Sequence, residues 1–160
     1  MTADIVVRPL EARDRFALAA ILERTENFAS DEVVVALELI DEALLGPDAT
    51  TYRVEVAERE GEVLGYVCFG ATPMTEHTYD LYWIVVSPEA RGLGVGKKLW
   101  AACAARVREV GGKLVRIETS STESYGATQA FYHRIDMVEV GRITDFYKSG
   151  DDLITYVKQV

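Results

Sequence analysis

The residues of this sequence best suited by type and spacing to chemistry are Arg91-Gly92-Leu93-Gly94-Val95-Gly96-Lys97. Successive glycines let backbone N–H groups approach an anion closely, and a helix that starts on them adds positive potential. Arg91 and Lys97 add full charges, so a phosphate or pyrophosphate is the natural guest. Two common phosphate loops fail on spacing. A P-loop needs glycine, four residues, then Gly-Lys-Ser/Thr. Here Arg91 stands at the first glycine and Lys98 at the hydroxyl position. A dinucleotide fingerprint needs its third glycine three residues after the second, but Gly96 follows Gly94 after two. The bland alternative is a glycine-rich turn that only starts a helix.

Such a turn must lie between a strand and a helix, and the flanking sequence supplies both. Thr78–Val86 is a strand closed by Ser87-Pro88, and a helix runs from the glycines to about Val110, ended by Gly111-Gly112. Upstream lie a strand at Ile5–Pro9, a helix over residues 11–25, and a helix at Ser30–Leu45 that Ser30 or Asp31 can cap and Gly46-Pro47 ends. A hairpin of Thr51–Arg59 and Val63–Ala71 turns at Glu60-Gly61-Glu62. Downstream come a strand at Lys113–Thr119, a short helix at Ser124–Arg134, and strands at Met137–Ile143 and Asp152–Val160. This order predicts a mixed sheet with helices on its faces.

The 160 residues suit one domain with one core, and 49% hydrophobic with 27% charged residues is a globular balance. With no repeat, linker or low-complexity tract, a single domain over residues 1–160 is the economical organisation. A net charge of −9 and a pI near 4.7 argue against nucleic acid as a partner and favour cations, protonated amines among them. Cys68 and Cys103 form no CxxC pair and have no histidine at ligand spacing, so buried free thiols are expected, with no disulfide framework and no metal site. The first residues lack the pattern of a signal peptide, and no apolar run approaches the roughly 18 residues of a membrane span. A cytoplasmic protein is the expectation.

Taken as Arg91, Gly94 and Gly96, the turn fits Arg/Gln-x-x-Gly-x-Gly/Ala. It resembles the pyrophosphate-binding motif of the GNAT superfamily of acyl-CoA N-acyltransferases, which joins the fourth strand to the third helix, its place here. The resemblance implies an α/β (α+β) fold: a mixed, mostly antiparallel twisted sheet of six to seven strands flanked by about four helices. It implies acetyl-CoA as co-substrate, without a metal, its pyrophosphate held by Arg91, Gly92, Leu93, Gly94, Val95, Gly96 and Lys97. Leu81 to Arg91 is similar to the family's fourth strand, which splays from its neighbour and pairs with the pantetheine amides like an added strand. Ile84, Val85 and Val86 match those positions. Ala130-Phe131-Tyr132-His133-Arg134 resembles the family's Ala-x-x-Phe/Leu-Tyr-Glu-Lys segment. This implies coenzyme contacts by Phe131, Tyr132 and Arg134, and a role for Tyr132 as the acid that protonates the departing thiolate. Taken alone, Tyr132 is an ordinary half-buried helix aromatic.

The sequence departs from the family pattern at three places. Tyr125 stands where many members carry a coenzyme-contacting asparagine, Asp136 replaces a helix-ending glycine, and Met137 replaces an aromatic residue. Aspartate tolerates the left-handed conformation better than most side chains, so the turn is expected to survive.

An ammonium must lose a proton before it attacks a thioester, and a carboxylate, directly or through water, is the usual agent. Glu118, which resembles the base of ribosomal-protein N-terminal acetyltransferases, is the first candidate and Asp80 the second. Each also reads as a solvated or salt-bridged strand carboxylate. Thr144–Asp152 resembles the aromatic-rich loop of that subgroup, with Phe146 and Tyr147 as substrate contacts and Asp145, Asp151 and Asp152 framing a cation. It reads equally as a hairpin turn at Ser-Gly-Asp. Phe28 and the acidic second helix are expected to wall the acceptor pocket, and His77 and His133 read as surface residues. The expected function is transfer of an acetyl group from acetyl-CoA to a primary amine of a small molecule or peptide N-terminus, by direct attack in a ternary complex. A backbone N–H near Val86 would polarise the carbonyl. The alternatives are a catalytically silent acyl-CoA-binding sensor and a nucleotide-phosphate binder. A homodimer is compatible with all three.

Overall fold

A computed structural model describes residues 3–26, 28–122 and 125–160. Its elements are β1 (Val6–Pro9), α1 (Asp14–Arg24), α2 (Ser30–Ala43), β2 (Tyr52–Arg59), β3 (Glu62–Ala71), β4 (Thr78–Val86), α3 (Val95–Glu109), β5 (Leu114–Ser120), α4 (Gly126–Arg134), β6 (Val138–Lys148) and β7 (Asp151–Gln159). A single 3₁₀ turn at Pro88–Ala90 leads from β4 toward α3. The strands form one sheet in the order β1-β2-β3-β4-β5-β7-β6, antiparallel at every rung except β4–β5. This is the mixed, mostly antiparallel sheet with four helices that the sequence implies.

The local chemistry explains most boundaries. Glu60 (φ 54°) and Gly61 (φ 83°) both take positive φ, the requirement of the two-residue turn that matches strand twist, and they close β2 onto β3. On β3, Tyr66 and Cys68 face one layer of helices while Val67 and Phe69 face the other, as strand alternation demands. Leu18, Ile21 and Leu22 of α1 and Ala36 and Ile40 of α2 cover the first face. Leu99, Cys103 and Val107 of α3, with Tyr132 of α4, cover the second. Truncating a fully buried residue such as Leu99 would cost about 2–5 kcal/mol. The Arg8 guanidinium pins α1 to the sheet edge: it donates to both oxygens of the buried Asp14 at 2.8 Å and to Glu58 at 2.7 Å.

Two expectations need correction and one lies out of reach. The residue capping α2 is Ala29, with no side-chain hydrogen bond, rather than Ser30 or Asp31. The segment from Thr144 is not a loop, because β6 continues to Lys148 and leaves only Ser149 and Gly150 before β7. Its pairing register with β7 shifts between Ile143 and Lys148, and Asp145 takes φ 54° there. A bulge thus absorbs residues whose polarity reads as a turn. Ser124, expected to begin the fourth helix, lies outside the described residues. Among those residues no helix is long and apolar enough to cross a membrane.

Candidate active site

Residues of β4 keep two kinds of company. At its start Thr78, Tyr79 and Asp80 pair in parallel with Leu114, Val115 and Arg116 of β5, and the pairing stops there. Toward β3 the register runs on, but it shifts between Cys68, opposite Trp83, and Phe69, opposite Leu81, so that Tyr82 is an extra residue. Such a bulge bends its strand, and here it turns β4 away from β5. The Ser87 N–H donates to the Leu64 carbonyl at 2.8 Å. By antiparallel alternation Val85 bonds to β3 as well, while Ile84 and Val86 aim their N–H and C=O groups into the gap. The gap opens into a cleft of about 1350 Å³.

One end of this cleft is built for an anion. Gly94 is the N-cap of α3, and it and Gly92 both sit at φ 80°. A side chain at either would meet open space, so glycine is required there by backbone conformation and not by crowding. Gly96 is the reverse case. A Cβ there would lie 3.1 Å from Phe131 Cε2, so its absence lets α4 close on the first turn of α3. The Arg134 guanidinium lies 5.9 Å from the centre of the Phe131 ring. Arg91, Lys97 and Arg134 line the cleft around this turn, whereas Leu93 is exposed outside it. Backbone amides at a helix start, left-handed glycines and three cations together suit a pyrophosphate.

Tyr132 lines the cleft yet is only 5% exposed, with its ring 5.7 Å from that of Tyr156. Burial above all, then the neighbouring Tyr156 and Tyr125 phenols, pushes its hydroxyl well above the ordinary tyrosine range, so it stays protonated. The helix that carries it ends as a glycine would end it. Asp136 takes φ 63°, and the Met137 N–H reaches back to the Tyr132 carbonyl at 3.0 Å.

The two strand carboxylates part company. Asp80 accepts a 2.7 Å hydrogen bond from Arg116 Nε and does not line the cleft. Glu118, past the last β4–β5 rung, does line it; its side chain is 46% exposed and lies 3.7 Å from Arg116 Nη1, without the short hydrogen bond that Asp80 makes. Tyr125 lines the cleft and donates its hydroxyl to Glu32, in the first turn of α2, at 3.0 Å. Burial, then Glu32, pushes the Tyr125 phenol up to about 12. Asp151, 8% exposed, lines the cleft and accepts a hydrogen bond from Ser120 Oγ. Phe28 stands in the wall with its ring 6.3 Å from that of Trp83.

Of the expected acceptor contacts on the last hairpin, Tyr147 and Asp151 line the cleft and Phe146 does not. Phe146 is exposed and meets Tyr147 edge-on at 5.0 Å. Asp145 accepts from the Gly150 N–H at 2.8 Å, and Asp152 accepts from the Asp145 N–H at 2.9 Å and pairs with Arg142 at 3.1 Å. These two aspartates shape the hairpin rather than the cleft. Sequence reasoning points to the acidic second helix but not to Glu32 within it, and does not single out Ser120, Tyr82 or Trp83. The residues Ser120 and Glu32 enter through tertiary contacts from distant segments, and Tyr82 and Trp83 through the bulge.

Comparison with known proteins agrees with this geometry. The profile of the acetyltransferase (GNAT) family matches residues 17–137. A GNAT-family protein from Desulfovibrio desulfuricans is 36% identical and superimposes with a TM-score of 0.93 over 98% of this chain and 99% of its own. The ribosomal-protein-alanine N-acetyltransferase from Brucella melitensis is 26% identical, with a TM-score of 0.78 over 97% of this chain and 99% of its own. The 5-NmdU N-acetyltransferase of Pseudomonas phage PaMx11 is 34% identical over 88 residues, which span 55% of this chain and 59% of the phage protein.

Proposed function

The chain belongs to the GNAT acetyltransferase family, a family that uses acetyl-CoA, and on that footing we propose that it acetylates a primary amine by direct attack within a ternary complex. The observation that carries this reading is convergence: the splayed edge of Ile84 and Val86, the glycine turn, Tyr132 and Glu118 all border one cleft. When bound, acetyl-CoA supplies a thioester whose carbonyl is already reactive toward a neutral amine.

In this reading Arg91, Lys97, Arg134 and the first amides of α3 hold the pyrophosphate. The free backbone groups of Ile84 and Val86 pair with the amide-bearing arm as a neighbouring strand would. Glu118, at the wetter side of the cleft, takes the proton from the acceptor ammonium directly or through water. The Val86 N–H faces the gap and steadies the negative charge that develops on the carbonyl oxygen. As the N–C bond forms and the S–C bond breaks, the Tyr132 hydroxyl holds the proton that the leaving sulfur needs. Presence of both Glu118 and Tyr132 in the cleft favours turnover over a silent sensor.

Bisubstrate kinetics test the direct attack. Double-reciprocal lines that intersect as amine and acetyl-CoA are varied support a ternary complex. Parallel lines would mean an acetyl-enzyme and overturn it.

A further inference from the structure

We propose that the acceptor is a small diamine or polyamine, with Glu118 receiving the reacting amine and Glu32 and Asp151 receiving a second ammonium. This rests on the acetyltransferase reading above.

The charge in the cleft is divided. The end at the start of α3 carries Arg91, Lys97 and Arg134, whereas the part bordered by α2, β5 and the last hairpin carries Glu32, Glu118 and Asp151, with Lys148 the cation among the described lining residues there and Arg116 3.7 Å from Glu118. Among the described residues no lysine, arginine or histidine nitrogen lies within 4.0 Å of the Glu32 or Asp151 carboxylates. Asp151 is more than nine-tenths buried and has a hydroxyl, that of Ser120, as its recorded partner. A carboxylate removed from water is stabilised when a cation joins it, so a positively charged guest would complement this wall.

The acidic groups also act together. The Tyr147 phenol is pushed up by burial first and then by Glu118, Asp151 and Glu32 at once. The Tyr125 phenol is raised by burial, Glu32 and Asp151 among others. Three carboxylates from three separate elements therefore bear on one pair of rings. Those rings share the cleft lining with Phe28 and Trp83, and aromatic surface of this kind takes methylene groups and an ammonium. The Tyr125–Glu32 hydrogen bond ties the start of α2 to the start of α4, and both residues line the cleft. Acetylation removes one of the two charges, so the product is held less firmly than the substrate.

The test is thiol release by the full chain with acetyl-CoA and matched acceptors: butylamine, 1,4-diaminobutane, spermidine, and a tripeptide with lysine second. The expected kcat/KM for diaminobutane or spermidine exceeds that for butylamine at least tenfold, and the ratio falls as salt is raised. Glu32→Gln, which keeps an acceptor for the Tyr125 hydroxyl, and Asp151→Asn are each expected to bring the ratio toward one mainly through KM. Circular dichroism and melting confirm that each variant is folded. Equal turnover of butylamine and diaminobutane, or preference for the peptide, overturns the proposal and leaves the acetyltransferase reading intact. No thiol release with any amine overturns both.

Discussion

The Asp80 carboxylate accepts a 2.7 Å hydrogen bond from Arg116 Nε at the last rung where β4 and β5 pair, whereas Glu118, two residues further along β5, borders the open cleft. Similar carboxylates on neighbouring strands thus have different surroundings, and the point where the strands separate divides them. The Arg116 guanidinium is raised chiefly by its hydrogen bond to Asp80, with Glu118 adding to the effect.

Substitution separates the two roles. Glu118→Gln is expected to lower kcat by about 10²–10³-fold, the range of a lost general base, with little change in melting temperature. Asp80→Asn is expected to keep kcat within a few-fold and to cost about 1–2 kcal/mol of stability, because it weakens a charged hydrogen bond at a partly buried rung. Steady-state kinetics and urea titration of both variants check this.

The glycines of the phosphate turn are expected to fail differently. Gly94→Ala forces an L-residue to φ 80° in open space and should cost about 1–2 kcal/mol of stability. Gly96→Ala places a methyl 3.1 Å from the Phe131 ring edge, so the ring must yield by a few tenths of an ångström. That shift is expected to raise the acetyl-CoA KM about tenfold with a smaller loss of stability. Calorimetric titration with CoA and thermal melting distinguish the two.

Stability should depend on pH from the alkaline side. Burial pushes the Cys68 thiol up to about 12 and raises Cys103 as well, whereas an unfolded thiol ionises near about 8.5. A group whose folded pKa is raised contributes its full stability below the unfolded pKa and loses it as pH climbs toward the folded one. Unfolding free energy is therefore expected to change little on this account up to about pH 8 and then to fall by up to about 1.4 kcal/mol per pH unit for each thiol. Cys68→Ala should flatten the slope above pH 9 while lowering stability at pH 7 through the cavity it leaves. Urea midpoints from pH 7 to pH 10 give the measurement.

Much of this was legible in the residues because local chemistry and tertiary need agree. The turn at Glu60-Gly61, the strand before Ser87-Pro88 and the glycines before α3 are each required by backbone conformation, and the fold uses each as its composition suggests. Asp136 takes the left-handed position that its short polar side chain tolerates. What local pattern leaves open shares a physical origin. Asp80 and Glu118 look alike in sequence, since the bulge at Tyr82 that ends the β4–β5 pairing depends on the register with β3. Phe146 and Tyr147 are adjacent in sequence, and strand geometry sends only Tyr147 to the cleft. The acidic second helix is expected in the pocket wall, but Glu32 is picked out of it by a hydrogen bond to a residue 93 positions away, which no local pattern shows.

The most direct test of the central claim is thiol release from acetyl-CoA in the presence of an amine, with the native chain beside Tyr132→Phe. Turnover is expected with the native chain. The variant is expected to lose about 10²-fold in kcat while its acetyl-CoA KM changes by less than about threefold. Because the buried phenol is held protonated, native kcat should not decline through pH 9 on account of this residue. Equal kcat in the two proteins would remove Tyr132 as the acid, and absence of thiol release with every amine would contradict the acetyltransferase reading itself.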